Sequence, residues 1–380
     1  MDFGFNDEQE ALRRSAREVL ADKAGPKAYR HALEKTKTGT DEALWKTIGD
    51  LGWAGVAIDE QHGGLGLGLI ELVILQEEMG RALAPVPFFS TVALAGQLLE
   101  QAPAGARRDE ALRAIASGGA RATAALGQKD GSFDAAGVSV KAARTENGWT
   151  FSGTASLVPE AHLADLIVVV ARIEKSRNPE EGLGLFLVPA DALKSKPKPQ
   201  PSLDGARRLA DVRLGKVEAP ADAFLADNAW PLIARALDRA AVLLAAEAVG
   251  VASRQLEIAV AHARDRSQFD RPIGSFQAIS HKCADMLLVT ETARSHVYYA
   301  AWALEEGAPD ARLAAATAKA AASDAARIVA NDSIQVHGGI GFTWEHEMHL
   351  FYRRAKFCEL YLGDASAWRE RVTAALAAAS

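Results

Sequence analysis

The pattern of apolar and polar positions divides the chain into three regions with different periods. The first third has helical spacing. Asn6 with Gln9 three residues later predicts a capping box, and Leu12, Ala16, Val19 and Leu20 follow on one face. Thr40 is predicted to cap a second helix carrying Leu44, Ile48 and Leu51. After a Gly-rich turn over 62–68, a third helix is predicted over 69–83, stopped by Ala84-Pro85-Val86-Pro87. The middle alternates with period 2. Residues 138–141 and 149–153 read as strands about a two-residue turn at Asn147-Gly148, and the runs 166–171 and 183–189 read as buried strands. The Lys/Pro-rich stretch 194–201 reads as an exposed loop. From residue 229 onward the helical period returns in three long Ala-rich stretches, about 230–265, 275–307 and 310–336, which suit a tightly packed bundle. The predicted class is α+β: an N-terminal helical domain over 1–121, a central antiparallel β domain over 122–225 and a C-terminal four-helix bundle over 226–380.

Composition narrows the partners. The 380 residues are 49% hydrophobic and 24% charged with a net charge of −6, ordinary for a soluble globular chain and wrong in sign for nucleic acid. Two cysteines, Cys283 and Cys358, stand far apart and outside any CxxC, as in proteins of a reducing compartment. The start, Met1-Asp2-Phe3-Gly4-Phe5-Asn6, is acidic and lacks the basic and apolar regions of a signal peptide. The apolar segment 240–251 is broken by Glu247 and is too short to span a bilayer. A cytoplasmic protein without membrane insertion is expected.

Several motif readings fall away. Gly64-Leu65-Gly66-Leu67-Gly68 is not GxGxxG and lacks strand–turn–helix context. His346-Glu347-Met348-His349 is not HExxH and reads as the surface of a helix. What remains are ordered blocks. In the first third stand Leu51-Gly52-Trp53-Ala54-Gly55, Glu60-Gln61-His62-Gly63-Gly64 and Glu77-Glu78-Met79-Gly80-Arg81. In the last third stand Glu247-Ala248-Val249-Gly250, Arg266-Ser267-Gln268-Phe269, Phe276-Gln277 and Gln335-Val336-His337-Gly338-Gly339. Together they resemble the acyl-CoA dehydrogenase family along essentially the whole chain. The resemblance implies FAD as cofactor, an acyl-CoA substrate, α,β-dehydrogenation to a 2-enoyl-CoA, and electron-transfer flavoprotein as acceptor. It also implies a homo-oligomer (dimer or tetramer) or a hetero-tetramer. By resemblance Arg266 meets the FAD pyrophosphate, Phe269, Phe276 and Gln277 flank the adenine side, and Gln335 with Gly338 and Gly339 offers a close backbone approach. A pyrophosphate carries two negative charges, so a guanidinium and open N–H groups are the chemistry it needs.

Two departures stand out. Where the family has a Thr-Glu-Pro-Gly-Ser-Asp-like phrase and Trp-Ile/Val-Thr-Asn, this chain reads Leu126-Gly127-Gln128-Lys129-Asp130 and Leu157-Val158-Pro159-Glu160, and Pro159 has no N–H to donate. Where most members carry the basic Glu of Tyr-Glu-Gly-Thr, this chain has Tyr361-Leu362-Gly363-Asp364. The alternative base position on the first bundle helix aligns with Ala240. Neither leucine nor alanine takes a proton. Asp238 and Glu247 are the candidate catalytic replacements. Glu247 stands seven residues after Ala240 on the same helical face, roughly 10 Å along, within an apolar run. Its alternative role is a buried ion pair with a bundle arginine; that of Asp238 is a solvated helix-start residue. Asp364 is a candidate for capping a helix or touching the flavin. The functional alternative is a Glu-less FAD/acyl-CoA-binding subunit of a hetero-oligomer whose partner supplies the base.

Overall fold

The computed structural model describes residues 5–127 and 130–379. Six helices open the chain: α1 (Asp7–Lys23), α2 (Pro26–Lys35), α3 (Glu42–Asp50), α4 (Leu69–Arg81), α5 (Gln97–Gln101), which continues a π-helical segment Phe89–Gly96, and α6 (Ala106–Ala116). Nine strands follow: β1 (Ala122–Ala125), β2 (Lys141–Thr145), β3 (Gly148–Ser152), β4 (Thr154–Pro159), β5 (Leu166–Arg172), β6 (Leu183–Pro189), β7 (Leu209–Arg213), β8 (Val217–Pro220) and β9 (Phe224–Ala226). The last third holds α7 (Trp230–Asp265), the short strands β10 (Ser267–Gln268) and β11 (Arg271–Pro272), then α8 (Gln277–Glu306), α9 (Ala311–His337), α10 (Met348–Leu360) and α11 (Ala365–Ala379).

The elements gather into two compact units. One comprises Met1–His31, Leu69–Pro85 and Ala241–Ser380; the other comprises Ala32–Gly68 and Val86–Ala240. The second unit is built on a seven-stranded sheet of order β8-β3-β2-β5-β6-β9, with β1 added to β5, and a separate pair β4-β7. The sheet is mostly antiparallel, yet β1 and β2 both run parallel to β5, so the expected antiparallel domain contains two parallel pairings. Phe151, Val169, Phe186, Val188 and Leu214 fill its core. Trp149 stacks on Phe224 at 4.9 Å, and Phe151 meets Phe186 edge-on at 5.0 Å.

In the first unit α8 and α9 pack along alanine faces, with Ala293, Ala300, Ala315, Ala322 and Ala326 all at 0% exposure. Small side chains permit this close approach. Helices α4 and α7 cross on glycines. A Cβ on Gly80 would sit 2.2 Å from the Glu247 carbonyl oxygen, and one on Gly250 would sit 1.9 Å from that of Glu77. No side chain fits there.

Candidate functional site

The blocks carried by the bundle helices come together at one end of the first unit. Helix α7 closes on the bond from Arg266 N to the His262 carbonyl, 2.9 Å. The chain then makes a hairpin in which Ser267 pairs with Pro272 and Gln268 with Arg271. Its two turn residues, Phe269 and Asp270, have φ of 54° and 61°, left-handed conformations without a glycine. Each costs about 1 kcal/mol, and such strain is characteristic of functional turns. Phe269 stands 86% exposed. The Arg271 guanidinium lies 4.0 Å from the Phe276 ring centroid, which fixes that ring beside the hairpin. Helix α8 then starts at Gln277 with no side-chain cap, leaving N–H groups at the positive end of a 30-residue helix.

Helix α9 ends on Gly338, whose φ of 63° excludes most other residues, and its N–H returns to the Ile334 and Gln335 carbonyls. Nothing lies within 4 Å of a Cβ built on Gly338 or Gly339, so the backbone there faces open space. Gln335 and Arg266 are exposed, and no described residue forms an ion pair with the Arg266 guanidinium. Three histidines join the two helix ends. The His262 ring stacks on His337 at 4.4 Å, and His337 meets His346 at 4.6 Å. Arg266 thereby shares a corner with Gln335, Gly338 and Gly339. A free guanidinium beside open glycine backbone is a donor set that fits a pyrophosphate.

The predicted base does not have the freedom of one. Glu247 is at 0% exposure in the first unit. Arg354 Nη1 donates to its Oε1 at 2.8 Å and Gln76 Nε2 donates to its Oε2 at 2.7 Å. Arg354 is itself 1% exposed, with its guanidinium 5.9 Å from the Tyr29 ring. Both oxygens of Glu247 are engaged at a glycine-tight helix crossing, the arrangement of the ion-pair alternative. Asp238, in the second unit, is 4% exposed and so is no solvated helix-start residue. Ala240 is at 0% exposure.

Position 362 retains an elaborate mount. Leu362 has φ of 62° and is 3% exposed, and its carbonyl accepts from Trp368 Nε1 at 3.0 Å. Lys319 Nζ donates to the carbonyls of Cys358 (2.9 Å), Glu359 (3.1 Å) and Gly363 (3.1 Å) and to Ser323 Oγ (2.8 Å). Burial pushes the Lys319 ammonium down to about 8. Asp364 caps α11, accepting from Ala367 N at 2.9 Å, so of its two expected roles the structure displays the cap.

In the second unit, Leu157 (φ 56°) and Glu160 (φ 54°) flank Val158-Pro159, and the β4–β7 register shifts between Ala155 and Val158. The Pro159 carbonyl accepts from Thr123 Oγ1 at 2.7 Å, and Glu160 faces Arg207 at 3.6 Å with both nearly inaccessible. Gln128 and Lys129, from the other departing phrase, lie outside the described residues. The histidine stack, Lys319 and Arg354 were not expected from the sequence. His346 and His349, expected on a helix surface, are instead packed, His349 at 7% exposure against Trp344.

The chain belongs to the acyl-CoA dehydrogenase family: the family's N-terminal domain matches residues 6–119 and its C-terminal domain residues 228–377. It is an FAD-dependent flavoprotein oxidoreductase. Among relatives, acyl-CoA dehydrogenase IpdE2 of Mycolicibacterium smegmatis is 31% identical over 360 residues, covering 94% of this chain and 96% of its own. The ChsE4-ChsE5 complex of Mycobacterium tuberculosis superposes with a TM-score of 0.90 at 28% identity, over 99% of both chains. The Tcur3481-Tcur3483 steroid ACAD gives 0.88 at 34% identity, over 98% of this chain and 99% of that one. Among the described residues no helix is long and apolar enough to cross a membrane.

Proposed function

We propose that this chain is the base-less subunit of a hetero-oligomeric acyl-CoA dehydrogenase, whose partner supplies the carboxylate that takes the α-proton. The observation that carries the reading is the engagement of both Glu247 oxygens by Arg354 and Gln76 at 0% exposure. Leu362 and Ala240, at the two positions where family members carry a base, have nothing to ionise. Similarity to the two-chain ChsE4-ChsE5 and Tcur3481-Tcur3483 assemblies supports it, and the second points to a bulky, steroid-derived acyl-CoA as the substrate class.

In the reaction the α C–H gives its proton to the partner's carboxylate, the β C–H gives a hydride, and a C=C bond forms between them. Bound FAD supplies the hydride acceptor. This chain's part is to bind and orient. Arg266 neutralises pyrophosphate charge, Gly338 and Gly339 admit close backbone approach, Gln335 and Gln277 offer amides, and Phe269 and Phe276 flank the adenine side. Electron-transfer flavoprotein is the acceptor this reading expects.

The experiment is co-expression with a family chain that carries an intact Tyr-Glu-Gly, followed by anaerobic flavin bleaching with a steroid side-chain acyl-CoA. A mixed oligomer should bleach while this chain alone does not. Bleaching by this chain alone at the rate of the mixture would overturn the reading and pass the role of base to Asp238.

A further inference from the structure

We infer that His337 is a positioning residue for the flavin cradle: gripped between His262 and His346, it ties the Gly338–Gly339 turn to the Arg266 end of α7, and protonation loosens the tie. The inference rests on the reading of Arg266, Gln335 and the glycine pair as that cradle.

The geometry is specific. His337 is the last residue of α9 and Gly338 leaves it in a left-handed conformation. Its Nδ1 lies 2.7 Å from the Ser333 carbonyl, which fixes the proton on Nδ1 and leaves the lone pair on Nε2. Nε2 is buried with no hydrogen-bond partner, on a side chain 6% exposed. His262 lies nearly parallel to the ring at 25°, and His346 leans on it at 55°. The turn then wraps back, since a Cβ on Gly341 would lie 3.1 Å from that of His337. His346 is anchored in turn: its Nδ1 accepts from Met348 N at 3.1 Å and its carbonyl accepts from Arg30 Nη2 at 2.9 Å. Arg266 stands one helical turn beyond His262, on the same face. One ring therefore fixes the spacing between the guanidinium and the glycine backbone.

The charged and titratable groups around the stack are Asp265 and Arg266 from the end of α7, Arg30 from α2, Glu347 beside His346, and His349 on α10, which couples to His346. Asp265 favours a charged His262, and Glu347 favours a charged His337. Arg266 opposes the charge on His262 and Arg30 opposes it on His346, and the rings oppose one another. Burial is the largest influence and holds all three imidazoles below the ordinary histidine value. The stack is thus fully formed above pH about 6.5 and loses stability as pH falls from there toward the lower folded values. A proton on Nε2 would arrive where no acceptor waits.

The test uses the purified flavin-loaded protein, followed from pH 7.5 to 5.5 by two readouts: FAD fluorescence on release, and backbone hydrogen exchange over 338–342. The parent should release FAD about tenfold faster at the lower pH, with the protection of the 338–342 amides, corrected for the intrinsic pH dependence of exchange, falling in the same interval. His337→Phe keeps a flat ring and removes the group whose protonation loosens the tie, so it should flatten the two profiles; His262→Phe keeps the stack and leaves His337 to titrate, so its profiles should still slope. A flat protection profile in the parent, or a His337→Phe variant that keeps the parent's pH dependence, overturns the inference. Arg266→Ala should weaken FAD at both ends of the range while leaving the pH dependence of exchange intact. If it changes nothing while exchange behaves as expected, the cradle reading fails and the histidine tie stands.

Discussion

Glu247→Gln separates a structural carboxylate from a catalytic one. The substitution keeps the volume and the Gln76 contact but removes the negative charge facing Arg354, 2.8 Å away and 1% exposed. A guanidinium stripped of its buried counter-charge in such a place costs about 3–5 kcal/mol, far above the near-zero worth of a surface pair. For 380 residues the unfolding entropy near 60 °C is about 0.8 kcal/mol/K, so Tm should fall by about 4–6 °C. Replacing both partners, Glu247→Leu with Arg354→Met, removes the stranded charge and should recover most of the loss. The assay is thermal unfolding of the flavin-loaded protein by circular dichroism, with anaerobic bleaching of the mixed oligomer measured beside it. The account expects a lower Tm and, at 25 °C, a bleaching rate close to the parent. An unchanged Tm with bleaching abolished would refute it, because only a base facing the substrate behaves that way.

Three further outcomes concern the buried side chains of Lys319 and Asp238. Lys319→Ala strips a donor from three carbonyls at the end of α10 and beside Leu362; it should cost about 3 kcal/mol or more and speed hydrogen exchange over 361–364. In the parent, the Lys319 ammonium should titrate at about 8 by 15N NMR, and an ordinary value would mean that it is solvated. Asp238→Asn in the mixed oligomer should leave the bleaching rate within about threefold of the parent; a hundredfold loss, about 2.7 kcal/mol, would make Asp238 the base.

Local chemistry was the legible part of the fold. The capping box is formed as expected, with Gln9 N donating to Asn6 at 2.8 Å and Asn6 N to Gln9 at 3.1 Å. The three long bundle helices begin and end within a few residues of their alanine-rich pattern. The second predicted helix is capped one residue later than expected: Asp41, not Thr40, takes the Leu44 N–H at 3.0 Å, while Thr40 is buried. The hairpin turn was misplaced by one residue for a tertiary reason. Thr145 pairs with Gly148, so the turn is Glu146-Asn147. Gly148 is glycine because a Cβ would lie 2.2 Å from the Ala219 carbonyl on β8, a contact made 71 residues away. The parallel pairings of β5 are equally non-local.

The sequence singled out the Arg266 and Gly338 segments but not what joins them. His262, His337 and His346 carry no shared spacing, and stacking leaves no periodic trace. Glu247 was conspicuous as a carboxylate in an apolar run, and its pairing with a bundle arginine was one of two open readings. Arg354 follows Arg353 on α10, and nothing in that dipeptide says which guanidinium turns inward.

The central claim is that this chain binds flavin within an assembly but cannot itself take the α-proton. The most direct measurement is stopped-flow flavin reduction by a steroid side-chain acyl-CoA under anaerobic conditions. It compares the purified mixed oligomer with an oligomer in which the partner's Tyr-Glu-Gly carries Gln for Glu, this chain being unaltered in both. The account predicts that reduction is lost in the second while flavin and acyl-CoA remain bound. Reduction persisting at the parent rate would place the base in this chain and contradict the account.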